Sequence, residues 1–451
     1  MQDILTIESL DMEARGVGHL DNEDGSPGKV VFVEGALPGE RVRFKSFRKK
    51  SKWEAATMTE LLHGSSLRVT PKCSYFGICG GCAMQHVESS AQVAAKQRVL
   101  EDNLHFIGRV QAGTILRPIQ GPDWGYRFRA RLSVRHVPKK GGMLVGFHEK
   151  KSGFIADMKT CAILPPQVSQ MLVPLRALIA SLAIRDQVPQ IELAVGDGLH
   201  GKIIAMVLRV MAAPSAEDKA KLIAFADQWQ IHWWLQSKGP ETAVPFYPDS
   251  EPLQYLLPEF GIRMPFKPTD FTQVNHQINR VLVSRALRLL NVQPGDRIAD
   301  LFCGLGNFTL PLATLAREVV GIEGSQALTD RALENARANQ LQDKTHFYSR
   351  NLFVFSVQDL QELGKFDRML IDPPREGAME VCQALAALMQ TDASACPTRL
   401  VYVSCNPATL ARDAGILVQG GYELSQAGVI NMFPHTAHVE SIAVFDRATK
   451  S

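Results

Sequence analysis

The chain has 451 residues, 45% hydrophobic and 21% charged, with a formal net charge of +3, the balance of a soluble globular protein long enough for two to four domains. Residues 1–8 hold neither a basic start nor an apolar core, and no run of 18 apolar residues occurs. A secretory signal and a membrane span are therefore not expected, and a cytoplasmic enzyme is.

Residues 1–62 read as short strands separated by turns. Lys29-Val30-Val31-Phe32-Val33 follows the turn cluster Asp24-Gly25-Ser26-Pro27-Gly28, and Arg41-Val42-Arg43-Phe44-Lys45 alternates after Leu37-Pro38-Gly39-Glu40. Strands at this spacing predict a small β-barrel of the oligonucleotide-binding sort, whose faces and loops present to RNA. Between Arg41 and Lys52 lie seven basic residues and no acid, interleaved with Phe44 and Phe47 and followed by Trp53. Cations among aromatics suit phosphate contact and base stacking, while the bland alternative is a solvated basic face.

At Pro71 the texture changes to a cysteine-rich loop. Cys73, Cys79 and Cys82 are close together and Cys161 follows 79 positions on. In a reducing compartment four such cysteines suit a metal centre better than disulfides. Three clustered thiolates and one remote are nearer the iron–sulfur pattern than the paired knuckles of structural zinc. A helix is predicted near residues 90–104. Arg127, Arg129 and Arg131 alternate on one strand face, where three cations need something negative over them, either RNA phosphate or a structural carboxylate. Residues 160–262 read as mixed strands and helices of an α+β unit.

From about Gly261 short apolar runs alternate with helical patterns: Arg297 to Leu301, Glu318 to Ile322, Arg368 to Ile371 and Leu400 to Val403. That alternation predicts a parallel, doubly wound sheet. Two further runs, 429–433 and 441–445, are joined by a short loop and predict an antiparallel hairpin at the sheet edge. After the first of the parallel strands comes a glycine loop, Gly304-Leu305-Gly306-Asn307, and 17 residues after Gly306 stands Glu323 at a strand end. A glycine turn lets the backbone approach a ligand, and an acid so placed can bind ribose hydroxyls, which points to a nucleoside-containing cofactor and leaves its identity open. Asp372-Pro373-Pro374-Arg375 holds an aspartate at the end of the Arg368 to Ile371 run, beside prolines that stiffen the exit. Ser404-Cys405-Asn406-Pro407 delivers a thiol to the same carboxyl edge, where chemistry collects in open α/β sheets. A lone cysteine is more often an inert buried thiol; the cofactor loop in the same domain reverses that reading. Cys303, Cys382 and Cys396 read as packing residues.

Taken together, the four cysteines, Asp300-Leu301-Phe302-Cys303-Gly304-Leu305-Gly306-Asn307-Phe308, Asp372 to Arg375, Ser404 to Pro407 and His438-Val439-Glu440-Ser441 resemble the iron–sulfur type of RNA 5-methyluridine methyltransferase, over essentially the whole chain. The resemblance implies a multidomain protein: a TRAM β-barrel over 1–62, a central domain with iron–sulfur cysteines over 63–262, and a Rossmann-like class I methyltransferase domain over 263–451. It implies that Cys73, Cys79, Cys82 and Cys161 hold a 4Fe-4S cluster. Gln273, Phe302, Asn307, Glu323, Asn351 and Asp372 would surround S-adenosylmethionine, with Cys405 as nucleophile and Glu440 as base. It further implies 23S ribosomal RNA as partner, through a single-stranded or loop uridine that is flipped out, and a monomeric enzyme.

The chemistry supports those roles independently. C5 of uracil is a poor nucleophile until a thiolate adds at C6 and turns the ring into an enolate, which divides one difficult step into two. A base in stacked RNA cannot show C6 to a thiol, so the uridine must leave the stack. Two other readings are a transfer-RNA target and an iron–sulfur RNA-binding protein with an inactive methyltransferase fold. The pairing of Cys405 with Glu440 argues against the second, since a binding module needs neither.

Overall fold

The computed structural model describes residues 4–21, 26–198, 201–249 and 252–448. Its first unit is a six-stranded sheet of β1 (Ile4–Thr6), β2 (Ser9–Leu10), β3 (Gly16–Asp21), β4 (Pro27–Glu34), β5 (Arg41–Lys49) and β6 (Trp53–His63), in the order β1-β5-β6-β4-β3-β2. Glu8 N–H donates to Val17 O at 2.7 Å, which brings the two ends of the sheet together as a barrel requires. The turn expected at 24–28 begins outside the described residues. On β5 Val42 and Phe44 point inward to Leu5, Val31, Val33 and Ala56, and the seven basic residues of 41–52 are all exposed. Arg48 lies 5.3 Å from the Trp53 ring. Behind the barrel, buried Glu40 accepts both Arg68 Nε (2.6 Å) and Nη2 (2.7 Å) along with Leu37 N–H, which fixes the exit toward the cysteine loop. Breaking a buried pair of this kind costs about 3–5 kcal/mol.

Next come α1 (Ser89–Asn103), capped by the Glu88 carboxylate on Ala91 N–H, and the short β7 (Thr114–Ile115). Between them the π-helical turn Leu104–Gly108 brings the Gly108 backbone so close to Ala411 O that a Cβ would sit 2.4 Å away.

The central unit holds β8 (Arg129–Val137), β9 (Gly142–Gly146), α2 (Pro166–Ser181), β10 (Gln190–Gly198), β11 (Gly201–Arg209), α3 (Ala216–Trp229), β12 (Ile231–Gln236), β13 (Val244–Tyr247), β14 (Leu253–Leu257) and β15 (Ile262–Phe266). Its sheet runs β13-β12-β11-β10-β14-β15, with β8 and β9 attached through β10. The helices α2 and α3 cover it with Val168, Leu172, Leu175, Leu222 and Phe225. The three arginines divide. Arg131 meets a structural carboxylate, Glu192, at 3.0 Å; Arg129 turns inward to donate to Pro268 O; Arg127 precedes the strand.

The last unit contains α4 (His276–Leu290), β16 (Arg297–Leu301), α5 (Thr309–Leu315), β17 (Glu318–Glu323), α6 (Gln326–Ala338), β18 (Thr345–Ser349), α7 (Val357–Leu363), β19 (Arg368–Ile371), α8 (Met379–Thr391), β20 (Arg399–Ser404), α9 (Pro407–Gln419), β21 (Tyr422–Ile430) and β22 (Glu440–Arg447). The sheet order is β18-β17-β16-β19-β20-β22-β21-β7, parallel from β18 to β20, with β22 antiparallel to both neighbours. Apolar layers cover both faces, one built with α1, α7, α8 and α9, the other with α4, α5 and α6. The strand order reverses between β16 and β19, the switch point at which such folds bind ligands.

Two expectations need correction here. The terminal hairpin is not the sheet edge, because β7 pairs in parallel with β21 through Gln426 and Ala427. The 63–262 span is also not one unit. Val93, Val99 and Leu100 of α1 pack into the core of the last sheet, and β15, whose Arg263 pairs with Leu256, carries the central sheet past residue 262. A helix shows its apolar face locally, but nothing local says which sheet that face meets. Among the described residues no helix is long and apolar enough to cross a membrane.

Candidate active site

Three strand ends, those of β16, β19 and β20, meet the start of antiparallel β22 at one edge. After β16 the chain turns through Phe302 (φ 62°), Gly304 (φ 54°) and Gly306 (φ 91°). The glycines adopt these angles freely, whereas a bulky residue at positive φ is strained and marks a functional loop. The strain at Phe302 is held by two bonds to one acceptor, Phe302 N–H and Cys303 N–H both reaching Ile322 O.

Glu323, at the end of β17, accepts Gly304 N–H (3.2 Å) on one oxygen and Ser325 N–H (3.1 Å) on the other. Its carboxylate thus ties the glycine loop to the next turn and keeps lone pairs for a diol. Asn307 accepts from Tyr255 Oη (3.0 Å) and exchanges amide hydrogen bonds with Asn279 (2.9 and 3.1 Å), so it anchors the loop to β14 and α4. Asn351 is exposed and caps the turn after β18 by accepting Phe353 N–H; the Phe353 ring lies 5.8 Å from that of Phe302. These four residues line one stretch of the sheet edge. Gln273 arrives separately, on the half-buried segment before α4, and among the described residues no hydrogen bond joins its side chain to the loop.

Sequence reasoning passed over Asp300. Fully buried at the end of β16, it accepts Thr309 Oγ1 at 2.5 Å on one oxygen and has no partner on the other. Burial first, then the hydrogen bond from Thr309 and repulsion from Asp372, set its acid at about 7. An aspartate opening the Asp-Leu-Phe-Cys-Gly run was the available signal. Asp372 is likewise pushed up to about 8, by burial and then by Glu440.

Cys405 and Glu440 come together by register. Ser404 of β20 pairs with Ser441 of β22. One step onward along β20 is Cys405, and one step back along antiparallel β22 is Glu440, so the two flank the same end of the strand pair. The turn after Ser404 is stiff: Ser404 Oγ accepts Asn406 N–H, Asn406 caps α9 through Ala408 N–H, and Asn406 Nδ2 donates to Arg375 O at 3.1 Å. That last bond joins the cysteine turn to the Asp372–Arg375 exit. Burial pushes the half-buried Cys405 thiol up to about 11, Glu440 and Asp372 add to the rise, and Arg375 opposes it. Glu440, 7% exposed, is pushed up to about 7 by burial, against the pull of Arg375 and Lys96.

The 431–439 loop that leads into Glu440 is held from outside its own sheet. Lys96 Nζ donates to Asn431 Oδ1 and Phe433 O, and Gln92 binds His435 through both its N–H (2.8 Å) and its ring (3.1 Å). His435 O accepts Ala83 N–H and Met84 N–H, Tyr126 Oη donates to Pro434 O, and Trp124 stacks on the His435 ring at 3.9 Å. The cysteine loop is thereby bonded directly to the approach to Glu440.

Cys73, Cys79, Cys82 and Cys161 line one small pocket, partly open to solvent, with Tyr75, Phe76, Phe147 and Met158. Burial pushes Cys82 up to about 12 and Cys161 up to about 11, and the neighbouring cysteines add to both. Four sulfurs that repel one another's ionised forms suit a cationic centre. Among the described residues no three His, Cys, Asp or Glu side chains are gathered tightly enough to hold a metal ion.

The model of the tRNA (uracil-5-)-methyltransferase family matches residues 90–448, and that of the TRAM domain matches residues 5–45. The 23S rRNA (uracil(1939)-C(5))-methyltransferase RlmD of Cupriavidus pinatubonensis is 64% identical over 445 residues, covering 98% of this chain and 95% of that protein. The protein of the same name from Ralstonia pickettii is 63% identical over 447 residues, covering 98% of each. Among solved structures, the Pyrococcus abyssi tRNA (uracil-54, C5)-methyltransferase in complex with S-adenosyl-L-homocysteine superposes with a TM-score of 0.70 at 21% identity, covering 98% of this chain and 99% of that one, which establishes a common fold.

Proposed function

The chain belongs to the tRNA (uracil-5-)-methyltransferase family, and we propose that it methylates C5 of one uridine of 23S ribosomal RNA, the counterpart of uracil-1939 in its relatives. The observation that carries the mechanism is the opposition of Cys405 and Glu440 across the end of β20 and β22. S-adenosylmethionine, when bound, supplies an electrophilic methyl group; Phe302, Asn307, Glu323, Asn351 and Asp372, with Gln273 from the segment before α4, would hold it at the switch point. Glu323 offers lone pairs to ribose hydroxyls, and the Phe302 and Phe353 rings offer a face to adenine.

Burial and the carboxylates of Glu440 and Asp372 favour the protonated form of the Cys405 thiol in the unliganded site. In the reaction the thiolate forms a bond to C6 and the displaced electron pair makes C5 nucleophilic. C5 takes the methyl group as the donor's S–CH3 bond breaks, its electron pair staying on the sulfur of S-adenosylhomocysteine. The Glu440 carboxylate then removes the C5 proton, the pair re-forms the C5–C6 double bond, and the C6–S bond breaks to return the thiolate. Because Cys405 leaves as it entered, ionisation and addition are the difficult half and the base governs release.

The seven exposed basic residues of the N-terminal sheet, with Arg48 beside Trp53, give RNA a cationic and aromatic face, and the uridine reaches Cys405 by leaving its stack. Incubation with 23S and transfer-RNA transcripts tests the target: 5-methyluridine is expected in 23S RNA at the one position, and methylation of transfer RNA alone overturns the assignment.

The meeting of three clustered cysteines and one remote one at a single pocket supports a 4Fe-4S cluster over the paired knuckles of structural zinc. Purified without oxygen, the protein is expected to be brown, with near-equal iron and acid-labile sulfide. A colourless protein carrying one zinc would overturn the cluster. The reaction involves no net oxidation or reduction, so the cluster would serve to order the loop that grips His435.

A further inference from the structure

Lys96 is a lysine where a lysine is expensive to keep. It lies on α1, 2% exposed, and its two hydrogen-bond acceptors, Asn431 Oδ1 at 2.8 Å and Phe433 O at 2.9 Å, are both neutral. A buried cation is ordinarily matched by a carboxylate in contact with it. The carboxylates whose field reaches Lys96 are Glu440 and Asp123, and neither is bonded to it. The interior of the protein therefore holds a lysine amine, pulled down to about 7 by burial, that donates to the chain leading into Glu440.

Its placement is specific. Ile430 is the strand partner of Glu440, and Asn431 is the next residue. Lys96 therefore grips the chain one step beyond the residue opposite the base. Gln92 stands one helical turn earlier on the same face of α1 and holds His435. Together they fasten both ends of the 431–435 stretch to α1, and Gln97 of the same helix accepts Val429 N–H at 3.2 Å just before it. Around Glu440 the cations are Lys96 and Arg375, and the two histidines that feel Lys96 are His435 and His438. Arg375 is exposed and bonded to His438, so Lys96 is the interior one of the two cations.

We propose that Lys96 is a positioning residue for the base: it holds the 431–439 loop so that the Glu440 carboxylate meets the C5 proton, and it acts on release of the methylated ring, not on formation of the C6–S bond. This rests on the covalent reading of Cys405 and Glu440, and the experiment keeps the two apart. Lys96→Met, Asn431→Ala and Glu440→Gln are each mixed with 23S RNA fragment and methyl-labelled S-adenosylmethionine, and denaturing gels report protein–RNA adduct and free product. With Lys96→Met, turnover is expected to fall about 10–100-fold, with labelled adduct formed within about 3-fold of the wild-type rate and then accumulating. Normal turnover, or slow turnover without accumulated adduct, overturns the role of Lys96. If Glu440→Gln accumulates no adduct either, Glu440 is not the base and that reading falls first; if it does and Lys96→Met does not, only the Lys96 inference falls. Should Lys96→Met not fold, Asn431→Ala, which removes one of the lysine's two acceptors, decides by the same bands.

Discussion

Cys405→Ala is expected to abolish methylation, by at least about 10⁴-fold, while RNA affinity stays within about 3-fold. The size of the loss follows from the ring: without addition at C6, C5 has no electron pair to offer. The selectivity follows from the position. Cys405 is half-buried at a strand end and its side chain belongs to none of the apolar clusters, so removing the sulfur leaves the sheet, the glycine loop and the cationic N-terminal face as they were. Single-turnover methyl transfer and filter binding on the same RNA fragment measure the two effects. Residual methylation above a few ten-thousandths of wild type would sink the covalent route.

Glu440→Gln is expected to fail at the opposite end of the reaction, with a labelled protein–RNA adduct carrying the methyl group as the dominant species. The substitution keeps shape and removes the carboxylate, so the C5 proton has no acceptor and the thiolate cannot leave. Glu440 also stands first after burial among the causes that raise the Cys405 thiol. Its neutralisation makes Cys405 easier to ionise, so addition is expected to be at least as fast as in the wild type. Free product at the wild-type rate, with no adduct, would remove Glu440 as the base. The contrast is informative because the two residues flank one strand pair yet stop the reaction on different sides of methyl transfer.

The parts of this site that were legible in the sequence are those tied to strand ends. Apolar runs show where parallel strands stop, and Cys405, Asp372 and Glu323 follow such runs directly. The glycines of 304 and 306 announce a turn because only that backbone takes positive φ without strain. Glu440 was legible as the start of the last strand, and its opposition to Cys405 is a matter of antiparallel register. Asp300 escaped because a buried aspartate inside a strand looks like any strand residue until its unpartnered oxygen is seen. Lys96 and Gln92 escaped because helical periodicity marks polar residues as outward-facing, and only the loop arriving more than 300 positions later turns that face inward. Arg131 was read as awaiting a phosphate or a carboxylate, and Glu192, invisible until β8 and β10 pair, is the answer. The domain boundaries slipped for the same reason: pairing partners distant in sequence leave no local trace.

The edge strand β7 and the helix α1 have a consequence for how this protein comes into being. Both leave the ribosome early, and the strand they must dock on, β21, follows about 320 residues later, on the order of 15–60 s at ordinary rates of synthesis. For that interval Val93, Val99 and Leu100 face water or a chaperone. A fragment starting at residue 263 would be born with the outer edge of β21 bare and without the part of one face that α1 covers, a template for aggregation. The smallest self-contained catalytic piece is thus discontinuous, and α1 and β7 complete their docking only once β21 has been made.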